Sequence, residues 1–226
     1  MLKLNAPSHF EADHEADALE LWDGGGAVRL LARDDERRAL LIERCRPGTP
    51  LWDAHVDEVP VVAELLPRLW NKPPKPHRFR RLVDEAERWL VEVPERYEVG
   101  GAPFDRSLLE LACDVFRSVD RSARFLVNQD LHGGNVLRAE REPWLVIDPK
   151  PLVGERDANA VGLLRNAALD GGVTAVRRWL AAFAELGLDA QRARDWGVAH
   201  TLAWGWDEDD GWSDHSVEAA RRIAAA

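Results

Sequence analysis

The segment Val127-Asn128-Gln129-Asp130-Leu131-His132-Gly133-Gly134-Asn135-Val136-Leu137, followed by Leu145-Val146-Ile147-Asp148-Pro149-Lys150, places three oxygen-bearing side chains in a fixed order: Asp130, then Asn135, then Asp148. Phosphoryl transfer needs such a set. One aspartate orients and deprotonates the acceptor hydroxyl, while an asparagine oxygen and a second carboxylate hold magnesium against the phosphates. Hard oxygen ligands suit that cation. The short loop between Asp130 and Asn135 can bring both side chains to one place. A strand ending at Ile147 presents Asp148 at its carboxyl end, where a hairpin aims it back at the loop. The alternative reading is that these are ordinary turn residues, because Asp and Asn favour loops through side-chain to backbone hydrogen bonds.

Around this segment the runs Phe125-Leu126-Val127, Asn135-Val136-Leu137 and Trp144-Leu145-Val146-Ile147 read as three short strands joined by polar, glycine-bearing loops. The rest of the second part of the chain reads as helix: residues 52–70, then a break at Pro73-Pro74-Lys75-Pro76, then 79–93, 107–119, 176–186, 192–204 and 216–223, with no strand signal after Pro151. The first fifty residues differ. Ser8 and Glu11 form a capping-box pattern in front of a helix over 10–22, which Gly24-Gly25-Gly26 ends. Residues 27–33 and 38–43 read as a β-hairpin. Residues 44–50 hold two prolines and a glycine and read as a linker. The expected organisation is an α+β lobe over residues 1–46 and a mainly helical lobe over 47–226.

The 226 residues include 40 acidic and 30 basic side chains, a net charge of −10, which argues against a nucleic-acid-binding surface and is compatible with a small cationic partner. A mean hydropathy of −0.35 and the lack of a long apolar run exclude a helical membrane span. The N-terminal residues show no signal-peptide pattern, and a cytoplasmic protein is expected. Cys45 and Cys113 have neither disulfide-framework nor zinc-site spacing and are expected to be buried thiols. Trp204, Trp206 and Trp212 surround the acidic run Asp207-Glu208-Asp209-Asp210, which reads either as a wall for a cationic substrate or as a solvated loop anchored by its indoles.

The words Asn-Gln-Asp-Leu-His, Gly-Gly-Asn-Val-Leu and Trp-Leu-Val-Ile-Asp-Pro-Lys-Pro-Leu-Val-Gly-Glu resemble the catalytic loop and metal aspartate of the kinase-like aminoglycoside phosphotransferases, in the branch of the streptomycin 6-phosphotransferases and hydroxyurea phosphotransferases. Asn128 stands where protein kinases have the histidine of H-R-D, and Pro149-Lys150 replaces the Phe-Gly of D-F-G. The resemblance implies a protein-kinase-like two-lobed α+β fold and a magnesium- and ATP-dependent phosphotransferase acting on a hydroxyl of a small cationic antibiotic such as streptomycin. It further implies Asp130 as base, Asn135 and Asp148 as magnesium ligands, Lys3 as phosphate contact and Glu15 as its helix partner. Leu40-Leu41-Ile42-Glu43-Arg44-Cys45 resembles the segment leading into the hinge that receives adenine, which makes Glu43 and Cys45 nucleotide-site candidates. Ala199 to Trp204 resembles the branch's C-terminal helix.

Two departures from the family pattern stand out. Family members place two strands and a phosphate-covering loop ahead of the strand lysine, whereas only Met1 and Leu2 precede Lys3 here, so a truncated N-lobe with an exposed edge strand is expected. An acidic residue is expected near Asn159, and Asp157 is the candidate to compensate. His132 is expected to brace the loop, and Lys150 either to brace it or to counter phosphate charge. The competing functional expectations are a kinase-like binding protein without catalysis and a kinase for another small metabolite.

Overall fold

Alternation along the first strand sets the geometry of the N-terminal sheet. In the computed structural model, which describes residues 1–6 and 10–226, β1 (Leu2–Leu4) exposes Leu2 and Leu4 and turns Lys3 to the inner face. It pairs antiparallel with β3 (Ala39–Ile42), which pairs in turn with β2 (Leu30–Asp34), in the order β1-β3-β2. The register sets Lys3 opposite Leu40. The expected hairpin over 27–43 is therefore present, with a bulge between Leu30 and Ala32.

The expected helix over 10–22 is broken. A 3-10 turn spans Phe10–Ala12 and helix α1 spans Glu15–Trp22, because His14 adopts a left-handed conformation at φ 68°. Its ring bonds Asp17 at 2.9 Å and meets Phe79 edge-on. Ser8, the expected capping residue, lies outside the described residues. Helix α2 (Glu58–Leu69) starts at Asp57, whose carboxylate accepts the Val59 N–H, and its Leu69 carbonyl accepts the Trp22 indole N–H.

By its contacts the chain divides into two compact units, Met1–Arg80 with Arg124–Val153, and Arg81–Ala123 with Gly154–Ala226. This grouping differs from the expected lobes of 1–46 and 47–226, and backbone pairing explains it. The expected strands appear as β4 (Phe125–Asn128) and the antiparallel hairpin of β5 (Val136–Arg138) and β6 (Trp144–Val146). Val28 and Gly26 exchange backbone hydrogen bonds with Val146, Gly48 and Thr49 do so with Arg138, and Asn71 accepts from Leu126. The glycine run and the linker are thus tied to this hairpin.

The absence of strand after Pro151 is not borne out. β7 (Pro151–Gly154) pairs with β4, and the two-residue strands β8 (Trp206–Asp207) and β9 (Gly211–Trp212) form a small hairpin. All four residues of β7 are buried, so no polar alternation betrays it. Cys45 is half-buried rather than buried, while Cys113 is buried, and both thiols are free.

The second unit is helical: α3 (Leu82–Val99), α4 (Arg106–Arg117), α5 (Val161–Glu185, broken at Gly172), α6 (Ala190–Trp204) and α7 (Asp214–Ala224). Its core holds Trp89, Phe116, Phe183 and Trp196, each almost fully buried. His200 lies between Trp89 and Trp204, and burial holds it well below the usual histidine pKa. The acidic run forms the β8–β9 turn: the Asp207 carboxylate accepts the N–H groups of Asp209 and Asp210, and Trp212 donates to the Leu202 carbonyl. The run is exposed and Trp212 is buried beneath it, as the solvated-loop reading expects. Asp157 accepts the Asp189 N–H in front of α6.

Close approach of α5, α6 and α7 depends on Gly197, where an added Cβ lies 2.9 Å from Leu164 and 3.2 Å from Ile223. Gly197→Val is expected to cost about 1–3 kcal/mol through overpacking, read as a lower urea midpoint with unchanged slope.

Candidate active site

Lys3 brings three distant segments to one point. Its ammonium group donates to Glu15 Oε2 at 2.7 Å and to Asp148 Oδ1 at 2.6 Å. β1 supplies the lysine, the first residue of α1 supplies the glutamate, and the aspartate follows β6. Glu15 is almost fully buried, and Asn5 donates to the same Oε2 at 2.9 Å. A buried carboxylate oxygen that accepts from an ammonium and an amide is held in place.

Asp148 occupies the left-handed region at φ 48°, a conformation that aspartate tolerates better than most residues and that collects at functional sites. The hairpin imposes it. The Ile147 N–H still bonds the Asn135 carbonyl at 2.9 Å, and the chain then turns immediately. Burial pushes the Asp148 carboxyl up, but hydrogen bonds from Lys150 and Lys3 outweigh it, and the net pKa lies below the ordinary aspartate value. Lys150 Nζ sits 2.7 Å from Oδ1, so that one oxygen meets two ammonium groups.

The loop after β4 is built around Asn128, which is 1% exposed. Its side-chain oxygen accepts the Asp130 N–H at 3.2 Å and the Lys150 N–H at 2.9 Å. Asn135 Nδ2 donates to the Asp130 carbonyl at 3.0 Å, which closes the loop on itself. His132 Nδ1 accepts the Gly134 N–H at 3.1 Å, so Nε2 carries the proton, 3.8 Å from Asp130 Oδ1. Trp52 stacks on the His132 ring at 5.4 Å between centroids, and Gly134 is where it is because a Cβ there lies 2.4 Å from the indole.

The oxygens present fit a magnesium ion. The Asn135 amide nitrogen is committed to Asp130, which leaves its Oδ1 available to a cation, and Asp148 Oδ2 makes no protein hydrogen bond among the described residues. No cluster of three or more His, Cys, Asp or Glu side chains that could hold a metal occurs among the described residues. A cation held by two side chains and completed by phosphate oxygens and water is how magnesium usually sits with nucleotides.

Glu43 and Cys45 lie on the segment leaving β3. The Glu43 carboxylate is gripped by Arg141, with Nε and Nη2 contacts of 2.9 Å, and accepts the Arg29 N–H at 3.0 Å. Arg141, in the β5–β6 turn, also donates to the carbonyls of Gly24 at 2.8 Å and Ala27 at 2.9 Å. The Glu43 side chain therefore fastens the β5–β6 hairpin to the glycine run. Burial, with the Glu43 charge beside it, pushes the Cys45 thiol up, so it is not a reactive thiolate.

Sequence reasoning missed the anchoring role of Asn128, the Arg141 clasp and the Trp52–His132 stack. An asparagine two residues before a loop aspartate is a local signal for the first. The other two carry no sequence signal, since their partners lie about eighty or more residues away.

Arg141 holds the Glu43 carboxyl below its ordinary value of 4.5, against burial, which raises it. A depressed carboxyl stabilises the fold above its unfolded pKa, and that contribution is lost as pH falls through the lower folded value. Arg141→Ala is expected to melt below the unsubstituted chain at pH 7, with the gap narrowing as pH falls below the ordinary glutamate value of 4.5 and a remainder left from the lost bonds to the Gly24 and Ala27 carbonyls. A gap that stays constant with pH contradicts the ion-pair origin.

Comparison with known proteins follows this geometry. The family model described as aminoglycoside/hydroxyurea antibiotic resistance kinase matches residues 1–211. The streptomycin 6-kinase of Streptomyces glaucescens is 37% identical over 221 residues, covering 93% of this chain and 71% of that protein. The hydroxyurea phosphotransferase of Kitasatospora aureofaciens is 37% identical over 217 residues, covering 93% of this chain and 62% of that protein. Among solved structures, choline kinase LicA from Streptococcus pneumoniae aligns with a TM-score of 0.66 at 14% identity, covering 99% of this chain and 84% of that one. The aminoglycoside phosphotransferase APH(4)-Ia, in a ternary complex with ADP and hygromycin B, aligns with a TM-score of 0.67 at 15% identity, covering 99% and 84%. The fold is kinase-like, and the chain belongs to the aminoglycoside/hydroxyurea antibiotic resistance kinase family of phosphotransferases.

Proposed function

We propose that the protein transfers the γ-phosphoryl group of ATP to a hydroxyl of a small acceptor, with a cationic aminoglycoside such as streptomycin as the favoured class. The observation that carries this reading is the meeting of Lys3, Glu15 and Asp148, from residues far apart in the chain, beside a loop that holds Asp130 and Asn135. The 37% identity to a streptomycin 6-kinase supports the acceptor class, and the equal identity to a hydroxyurea phosphotransferase makes hydroxyurea the first competing acceptor.

In this reading Asp130 takes the acceptor proton as the acceptor oxygen bonds to phosphorus and the bridging bond to ADP breaks. Asn128 and Asn135 hold the base by its backbone at both ends, so little motion is needed when charge develops. Lys3, kept in place by Glu15, faces the phosphates. Asn135 and Asp148 would hold magnesium, whose charge would offset that of the phosphates. Adenine meets the backbone of residues 43–45. Because the Glu43 N–H is used by the Arg29 carbonyl, recognition there falls to the Glu43 carbonyl and the Cys45 backbone.

The test is incubation with Mg-ATP and streptomycin, with hydroxyurea and choline as parallel acceptors, and mass spectrometry for an added phosphate. Streptomycin is expected to gain one phosphate. Asp130→Ala is expected to lower kcat by roughly 10²–10⁴-fold, in the range of general-base removal. Preference for hydroxyurea or choline refutes the aminoglycoside assignment, and ATP binding without transfer to any acceptor refutes the enzymatic one.

A further inference from the structure

We propose that Lys150 is a second phosphate-binding cation: it is parked on Asp148 in the free protein and passes to the transferred phosphoryl group when that carboxylate takes the metal. The inference rests on the reading of Asp148 as a magnesium ligand and ATP as the donor. It adds a residue whose role the reaction as described above does not need.

Charge accounts for the transfer. Asp148 Oδ1 holds two ammonium groups, Lys3 at 2.6 Å and Lys150 at 2.7 Å. Lys3 has a second carboxylate, Glu15, at 2.7 Å. Lys150 has none, and Asp148 is its one ionic partner among the described residues. A divalent cation on Asp148 competes with both lysines for the same carboxylate. Lys3 keeps Glu15, whereas Lys150, with a side chain only 16% exposed, is left as a largely desolvated charge without a counter-ion. The anion that arrives with the metal is the nucleotide triphosphate.

Position selects which phosphate. The Lys150 backbone is pinned on both sides, its N–H to Asn128 Oδ1 at 2.9 Å and its carbonyl to the Gln129 N–H at 3.2 Å. The same Asn128 oxygen accepts the Asp130 N–H. Lys150 and the base therefore share one anchor. The shared anchor sets the Lys150 backbone beside that of the base, and on this ground the lysine is assigned to the phosphoryl group that meets the acceptor hydroxyl rather than to the β-phosphate. Proline on either side, Pro149 and Pro151, stiffens the backbone, so the flexible stem of the lysine is the part that moves.

The experiment compares the unsubstituted chain with Lys150→Met, which keeps the stem and removes the charge, and Lys150→Arg, which restores the charge. Calorimetry without acceptor measures Mg-ATP and Mg-ADP affinity, and electron paramagnetic resonance measures Mn²⁺ binding without nucleotide. Lys150→Met is expected to weaken Mg-ATP by roughly ten- to hundredfold, the worth of a hydrogen bond to a charged group, and to leave Mg-ADP nearly unchanged. It is expected to tighten Mn²⁺ alone, because one competitor for Asp148 has gone, and Lys150→Arg is expected to recover the ATP preference. A lysine that merely braces the loop weakens metal, ADP and ATP together, and that result overturns the proposal. So does a Lys150→Met chain that binds ATP as tightly as the unsubstituted one. If the unsubstituted chain binds no ATP, the assignment of ATP as donor falls first, and this inference falls with it.

Discussion

The side-chain oxygen of Asn128 accepts two backbone N–H groups, those of Asp130 and Lys150, and through them holds two separate segments of the chain at one point. A buried amide oxygen that satisfies two donors resists displacement because either donor left unpaired is penalised. Asp130 and the Asp148-Pro149-Lys150 turn therefore keep a common origin. Asn128 stands where protein kinases have the histidine of H-R-D, and here its side-chain oxygen accepts.

Around that anchor the charges are arranged in a chain: Glu15, Lys3, Asp148, Lys150. Two anions and two cations alternate, so the described group is neutral overall while each member sits within 2.7 Å of an opposite charge. Such a chain is self-satisfied without ligand, and the proposed role of Lys150 has it rearrange when a divalent cation and a polyphosphate enter. Glu15 is the fixed end because it is buried and braced by Asn5, and Lys150 is the free end.

The hairpin that presents Asp148 is itself tied down by pairing on both sides. Residues 26–28 run beside β6, residues 48–50 run beside β5, and Arg141 clasps Glu43 together with the Gly24 and Ala27 carbonyls. Backbone groups of what look like a glycine-rich break and a proline-rich linker are thereby satisfied, as buried backbone requires. This is why contacts group residues 1–80 with 124–153 rather than dividing the chain at the linker.

The three strands flanking Asp130, Asn135 and Asp148, and the order of those residues, were legible in the sequence because apolar runs, loop residues and motif spacing are local properties. So were most helices, whose period survives in isolation. The break at His14 was not legible, since a left-handed residue stabilised by Asp17 and Phe79 leaves the apolar spacing intact. Nor was β7, because a strand buried on both faces shows no alternation. By itself, then, the sequence determined which residues are candidates for phosphoryl transfer and which family pattern they follow. Only the tertiary structure decided that Glu43 fastens a hairpin through its side chain, that Lys3 and Lys150 share one oxygen of Asp148, and that Asn128 holds both loops. Those contacts join residues up to 145 positions apart, and Coulomb attraction and hydrogen bonding act across space at distances that no sequence spacing records.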